Sequence, residues 1–415
     1  MKITHIHIER FRGFQNEDFE VGSLLTAIAG QNGTQKSTLL GIITQTFTLK
    51  TEDSMRVEKP LCGGSYISAF KDKFRLSPTF DKPKGHEWTI SFDAGMDDFT
   101  VESIKRTGDP NVRFWKKGAR QEGDGYISFP TIFLSLKRLV PVAEEAKIIT
   151  DDTLLTQEEL NEFKQLHNKI LIAQTPISSA TTITSKNKQS IGVSTELYDW
   201  NQNSMGQDNL GKIILALFSF KRLHDKYPRQ YKGGILAIDE MDATMYPASQ
   251  VELLKVLRKY ASKLNLQILF TTHSMSLLKA MDDLVQEVTK KEETANQAKI
   301  LYLKKVDDKI AIKQGVNFKG IQLDLNVVAE GNNRKKNRIT AYTEDKENIL
   351  FVKAILKSKA FVLDFVDVTL PCSTLMELVT KRVPAFIYPY SIVILDGDVR
   401  MNKNDLRKIN NADNI

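Results

Sequence analysis

Residues 30–38 read Gly-Gln-Asn-Gly-Thr-Gln-Lys-Ser-Thr. The pattern G-x-x-x-x-G-K-[ST] wraps phosphates in backbone N–H groups, sets a lysine on them and gives a hydroxyl to Mg2+. Gly30, Lys36 and Ser37 hold three of its four fixed positions. Gln31, Asn32, Gly33, Thr34 and Thr38 complete the loop, and Gln35 stands where the second glycine belongs. The cradle of N–H groups survives that exchange, Gly33 keeps the loop flexible, and charge and metal contact remain on Lys36 and Ser37. The exchange carries a conformational cost if φ at residue 35 is positive. The residues predict a working phosphate site whose turnover is open.

Further groups follow in order. "LAIDE" (236–240) is an apolar strand ending in two acids, where Asp239 would hold Mg2+ and Glu240 would polarise an attacking water. The alternative is an acidic pair on a solvated loop. His273, closing "ILFTTHS", can reach a γ-phosphate or can be satisfied by backbone. Asp242 can lie across a dimer interface or be an ordinary turn acid. Ser204, Gly206 and Gln207 in "NSMGQDN" precede a long helix, whose N-terminus offers donors and a positive dipole to a phosphate. As a bare sequence the same turn is also a loop and helix cap.

The surrounding pattern supplies elements to hold these groups. Alternating residues 2–9 and the apolar run 23–29 read as strands, the second feeding the phosphate loop, and "STLLGIITQTF" reads as a helix. Residues 55–130 predict an antiparallel sheet. Residues 156–174 predict a helix, "SSATTITSKNKQS" a loop, and 208–227 a buried helix. "GGILAIDE", "ASQVELLKVLRKYASKL" and "LQILFTTHS" alternate strand, helix and strand, which points to a parallel sheet. Residues 299–315 predict a hairpin around Asp307-Asp308, and "EGNNRKKNR" (330–338) a linker. A second α/β stretch follows, with "ITAY", "EDKENILFVKAILKS", "FVLDFVDVTL" and "SIVIL".

The 415 residues suffice for two or three domains, and 41% apolar with 26% charged residues is ordinary globular composition. No apolar run nears the roughly 18 residues of a membrane span, and the N-terminus is too polar for a signal peptide. Two cysteines, Cys62 and Cys372, exclude a disulfide framework and suit a reducing cytoplasm. A net charge of +7 leans toward polyanionic partners.

Taken together, the loop, "NSMGQDN", "LAIDE" and His273 resemble the motif set of ABC-class ATPases. The opening "IHIERFRGF" resembles SMC, RecF and OLD-type heads. The resemblance implies ATP and Mg2+ as cofactors and a homodimer or higher oligomer in which Ser204, Gly206 and Gln207 of one copy meet the nucleotide on Lys36 of another. It implies an α/β head over 1–330: a mixed sheet core, an antiparallel β layer and a helical insertion at about 142–190. Arg12 would contact nucleotide or DNA, or be a surface arginine.

"FLSLKRLVPV" (133–142) and "NSMGQDNLGKIILALFSF" resemble the ATPase subunit of Septu-type anti-phage systems, including those joined to retrons. That implies control of an HNH-type effector nuclease, a retron reverse transcriptase with RNA–DNA as a further partner, nucleic-acid contact and no membrane. Lys137 and Arg138 would serve nucleotide or nucleic acid, or flank a core strand.

Over 331–415, Glu344 followed by Asp396 and Asp398 resembles a Toprim-like α/β region whose acids would bind Mg2+, expected to be degenerate or incomplete; the alternative is ordinary acids in strand-end loops. An OLD-family endonuclease cutting DNA itself, and a nucleotide-locked scaffold with negligible hydrolysis, are the rival expectations.

Overall fold

A computed structural model describes residues 1–66, 73–93, 95–105, 112–118, 125–139, 148–152, 154–185, 189–330, 339–386, 391–410, 412 and 414–415. The chain divides into two compact units, Met1–Leu323 and Asp324–Ile415. The linker expected at 330–338 lies, from 331 onward, outside the described residues.

In the first unit, β1 (Ile3–Phe11) and β2 (Phe14–Glu20) form an antiparallel pair, and β3 (Leu25–Gly30) leads into the helix Lys36–Thr44. Two short strands, β4 (Phe47–Thr48) and β8 (Ile127–Ser128), pair with each other. Between them lie β5 (Glu87–Phe92), β6 (Phe99–Lys105) and β7 (Val112–Lys116), which join β1 and β2 in the antiparallel order β2-β1-β5-β6-β7. The layer expected over 55–130 is present, and it recruits the N-terminal hairpin.

After β9 (Thr131–Leu134) come β10 (Ile149–Asp152), the helix Gln157–Leu171, β11 (Ser179–Thr184) and β12 (Gln189–Ser194). The three strands form their own antiparallel sheet, so among the described residues the stretch expected to be a helical insertion carries one helix plus a sheet. The segment 178–190, expected as a loop, contains β11 and the start of β12. Its polar Ser, Thr, Asn and Gln residues mask a strand whose Ile183, like Ile191 and Val193 beyond it, is buried.

The helix Met205–Lys226 then precedes β13 (Gly234–Ile238), the helix Pro247–Lys263, β14 (Leu266–Thr272), the helix Met275–Val288, β15 (Ala298–Val306) and β16 (Lys309–Lys313). The central sheet runs β16-β15-β3-β14-β13-β9, parallel except for the hairpin β15–β16. β3, β13 and β14 are buried at every residue, as covered parallel strands must be. One hydrophobic core joins Ile6, Phe11 and Trp88 of the antiparallel layer to Leu39 and Ile43 of the helix Lys36–Thr44. The same core takes in Ala237, Leu269 and Leu301 of the central sheet. The carboxyl ends of β3, β13 and β14 are neighbours in register (Thr272 beside Ala29, Ile238 beside Phe270), so the loops that follow them converge.

The second unit is a parallel sheet ordered β18 (Leu363–Phe365), β17 (Ile339–Thr343), β19 (Ser391–Ile394), with helices Lys346–Leu356, Cys372–Thr380 and Lys403–Asn410. Leu375, Phe386 and Val393 form its small core.

Candidate nucleotide site

The phosphate loop begins where β3 ends. Gly30 sits at φ 154°, and a Cβ there would lie 2.4 Å from the Leu303 carbonyl oxygen, so no other residue fits. Thr34 Oγ1 donates to the Gln31 carbonyl at 2.8 Å and tightens the turn. The helix starts at Lys36 with no side-chain cap, which leaves the amides of its first turn for a ligand. Gln35 takes φ 62°, ψ 32°, a left-handed conformation that favours glycine. A residue with a Cβ holds it at a cost of about 1 kcal/mol. The Gln35 Oε1 atom is also buried without a hydrogen-bond partner. Lys36 is buried and arches back over the loop, its Nζ donating to the carbonyls of Gly30 (3.1 Å) and Gln31 (2.9 Å). Burial lowers its pKa, and Glu240, Asp239 and Asp242 oppose that shift.

Asp239 follows β13 and is buried. Its Oδ1 accepts from Ser37 Oγ at 2.8 Å and from Thr271 Oγ1 at 2.7 Å. Glu240 is in the left-handed region at φ 49°. Its N–H donates to Thr271 Oγ1 at 2.6 Å, and its carbonyl accepts from Arg138 Nη2 at 2.8 Å. One threonine hydroxyl thus touches both acids' positions, a role the sequence reading missed; the only signal was its place two residues before His273. The His273 N–H donates to Asp242 Oδ1 at 3.3 Å. Desolvation and then the Lys36 charge lower the His273 pKa, against the opposing pull of Asp242, Glu240 and Asp239. Loop, serine, two acids and histidine therefore belong to one locality. Backbone amides, an ammonium and a hydroxyl facing a carboxylate are the donor set that a Mg2+-bound nucleotide triphosphate requires.

Ser204 caps the helix Met205–Lys226 in a capping box: Gln207 N–H donates to Ser204 Oγ (3.3 Å) and Ser204 N–H to Gln207 Oε1 (2.8 Å). The cap is real, and the turn is also exposed at Ser204. A Cβ on Gly206 would strike the Thr244 carbonyl oxygen at 2.5 Å, so this helix start is pressed on the loop after Glu240. The turn meets the acids through Thr244 and Asn209, and the phosphate loop meets them through Ser37.

Residues 135–278 match the family model described as an AAA ATPase domain. The AAA ATPase match contains Ser204, Gly206, Gln207, Asp239, Glu240 and His273, and begins after the loop 30–38. No curated protein matches the chain. Among solved structures, the SMC head domain from Thermotoga maritima is 14% identical with TM-score 0.42, over 76% of this chain and 100% of that one. An Smc head domain bound to the C-terminal domain of ScpA derived from Pyrococcus furiosus is 13% identical with TM-score 0.43, covering 79% of this chain and 99% of that one. RecF with ATPγS is 11% identical with TM-score 0.38, covering 76% and 98%.

Two arginines left open by the sequence are now placed. Arg12 grips Asp81 with Nε and Nη2, both at 3.0 Å, while its Nη1 stands 3.5 Å from Thr38 Oγ1. Burial pushes the Asp81 carboxyl up, but Arg12, the Ser77 amide and His86 outweigh it and hold it at about 2. Arg138 is buried beside β9 and donates to Asn209 Oδ1 and to the carbonyls of Leu134, Ser135 and Glu240.

In the second unit, Asp396 N–H donates to Glu344 Oε1 at 2.9 Å, and Asp398 lies two residues on in a short helical turn. Burial, then the Glu344 charge, pushes the Cys372 thiol up to about 11. Among the described residues, no three of His, Cys, Asp and Glu stand together as a ready metal cage. No described helix is long and apolar enough to cross a membrane.

Proposed function

We propose that the chain is an ATP-hydrolysing, dimerising ATPase of the SMC/RecF-like ABC class that controls an effector. The observation carrying this reading is Ser37 Oγ and Thr271 Oγ1 both donating to the Asp239 carboxylate that follows β13, with the Glu240 amide donating to the same Thr271 hydroxyl. A bound Mg2+-nucleotide would supply the phosphoryl group and the Lewis acid. With that group bound, Lys36 and the loop amides would hold phosphate oxygens, Ser37 and Asp239 would hold the metal, Glu240 would accept a proton from water, and His273 would donate toward the terminal phosphate. The exposed Ser204 turn is offered to a second copy's nucleotide, making the site composite.

The resemblance of "FLSLKRLVPV" and the Ser204 segment to Septu-type ATPase subunits supports an HNH-type nuclease as the controlled effector, with nucleic acid and, in the retron-joined form, a reverse transcriptase as partners. Light scattering with a non-hydrolysable ATP analogue tests the core of this. Association is expected in the native chain and lost in Lys36→Ala; a monomer at saturating nucleotide overturns it.

The Glu344–Asp396 contact favours a second reading, DNA cleavage by the Asp324–Ile415 unit. Incubation of the full chain with plasmid and Mg2+ or Mn2+ tests it. Cleavage abolished by Asp396→Ala supports this reading, and intact plasmid removes it.

A further inference from the structure

We infer that Arg138 is a positioning residue that ties the Ser204 turn to the Glu240 peptide, so that engagement of the turn by a second copy sets the geometry of the first copy's water-activating acid. The inference rests on the function proposed above and adds a coupling element to it.

The geometry is that of a junction. Arg138 has 2% of its surface exposed and spends every guanidinium nitrogen on a different element. Nη1 donates to the carbonyls of Leu134 (3.2 Å) and Ser135 (3.1 Å), anchoring the group to the end of β9. Nε donates to Asn209 Oδ1 at 2.7 Å, in the first turns of the helix that Ser204 caps. Nη2 donates to the Glu240 carbonyl at 2.8 Å. Asn209 Nδ2 in turn donates to the Ala243 carbonyl at 3.0 Å, closing a second path from the same helix to the loop after Glu240.

A guanidinium is planar and its donors diverge at fixed angles, so a tilt of the helix start cannot be absorbed at Nε without moving Nη2. The atom it would move belongs to a peptide under strain. Glu240 is left-handed at φ 49°, with its N–H fixed to Thr271 and its carbonyl fixed to Arg138. Such a conformation persists only while its surroundings impose it. Release of the carbonyl lets the Glu240 backbone relax and swings the carboxylate. The bridge joins the exposed Ser204 turn to the acid assigned to activate water, which a purely stabilising arginine would not need to do. Asp239, Glu240 and Asp242 keep Arg138 charged against burial, which alone would lower its pKa further than the value of about 10 it reaches.

Arg138→Lys and Asn209→Ala, each in the full chain, separate coupling from structure. Lysine keeps the charge and loses the fork. Four readouts are taken: melting temperature, affinity for ADP, amide exchange over 239–246 without nucleotide, and the ATP-concentration dependence of hydrolysis. Both variants are expected to melt cooperatively and bind ADP within twofold of the native chain. Their 239–246 amides should exchange at least tenfold faster. Hydrolysis should fall at least tenfold and lose the sigmoidal ATP dependence that a two-copy site gives.

Native exchange rates over 239–246 in folded Asn209→Ala, with hydrolysis still sigmoidal, overturn the inference. Parallel loss of melting, ADP binding and exchange protection throughout the chain assigns Arg138 to general stability and overturns it equally. If instead the native chain neither associates nor hydrolyses with ATP, the functional reading itself has failed.

Discussion

Both units end a parallel strand in acids, yet the two endings are built differently. After β13, Asp239 is buried and takes two hydroxyl donors, and Glu240 has both sides of its peptide fixed. After β19, Asp396 receives no comparable shell: its backbone reaches Glu344, and its own carboxylate folds back on the Gly397 amide at 2.7 Å. The first arrangement spends buried polar groups on holding a carboxylate in one place, which costs stability unless every group is paired. The second is what a solvated turn does. Two acids at a strand end are therefore a weak sign by themselves, and the donors that fix them are the stronger one.

The comparison can be broken most decisively with paired substitutions. Lys36→Ala should lower ATP hydrolysis by on the order of 10²–10³-fold, as loss of a charge-stabilising donor does. Asp396→Ala should leave that rate unchanged; phosphate release under saturating ATP checks both. A smaller effect falls on Thr271→Val, which removes the shared hydroxyl at constant shape. Leaving the Glu240 N–H unpaired should cost about 1–3 kcal/mol in denaturant unfolding.

Unpaired polar groups elsewhere in the first unit sharpen the point. His167 is buried against Phe163 with no hydrogen bond to either ring nitrogen, and burial lowers its pKa to about 4. A depressed folded pKa means full stability above the unfolded value near 6.5 and progressive loss as pH falls from there to about 4. The loss is roughly 3 kcal/mol at most. His167→Leu should flatten that limb of the stability–pH curve measured by chemical unfolding. Smallest is Gln35→Gly, expected to stabilise by about 1 kcal/mol through relief of the left-handed side chain, read as a raised melting temperature.

Much of this was legible in the sequence where local signals and burial agree. The strands before Gly30, Asp239 and His273 are buried at every residue and read as largely apolar runs, so their alternation with helices and the parallel sheet were legible. The strands β11 and β12 were not legible, because Ser, Thr and Gln carry them and only packing in the fold turns Ile183, Ile191 and Val193 inward. Residue-level roles divide in the same way. Lys36, Ser37, Asp239 and Glu240 announce themselves by motif. Thr271 and Arg138 act by contacts that join positions 32 and 102 residues apart, which no spacing rule reveals.

The composite site is tested most directly by complementation. Lys36→Ala disables the loop. Ser204→Asp keeps a good helix cap while setting a negative charge against any phosphate presented to the turn. Each variant should be inactive alone. Mixed in equal amounts they form heterodimers with one intact loop facing one intact turn, and hydrolysis should reappear. A mixture as silent as its components, at concentrations where the chains associate, would contradict the account.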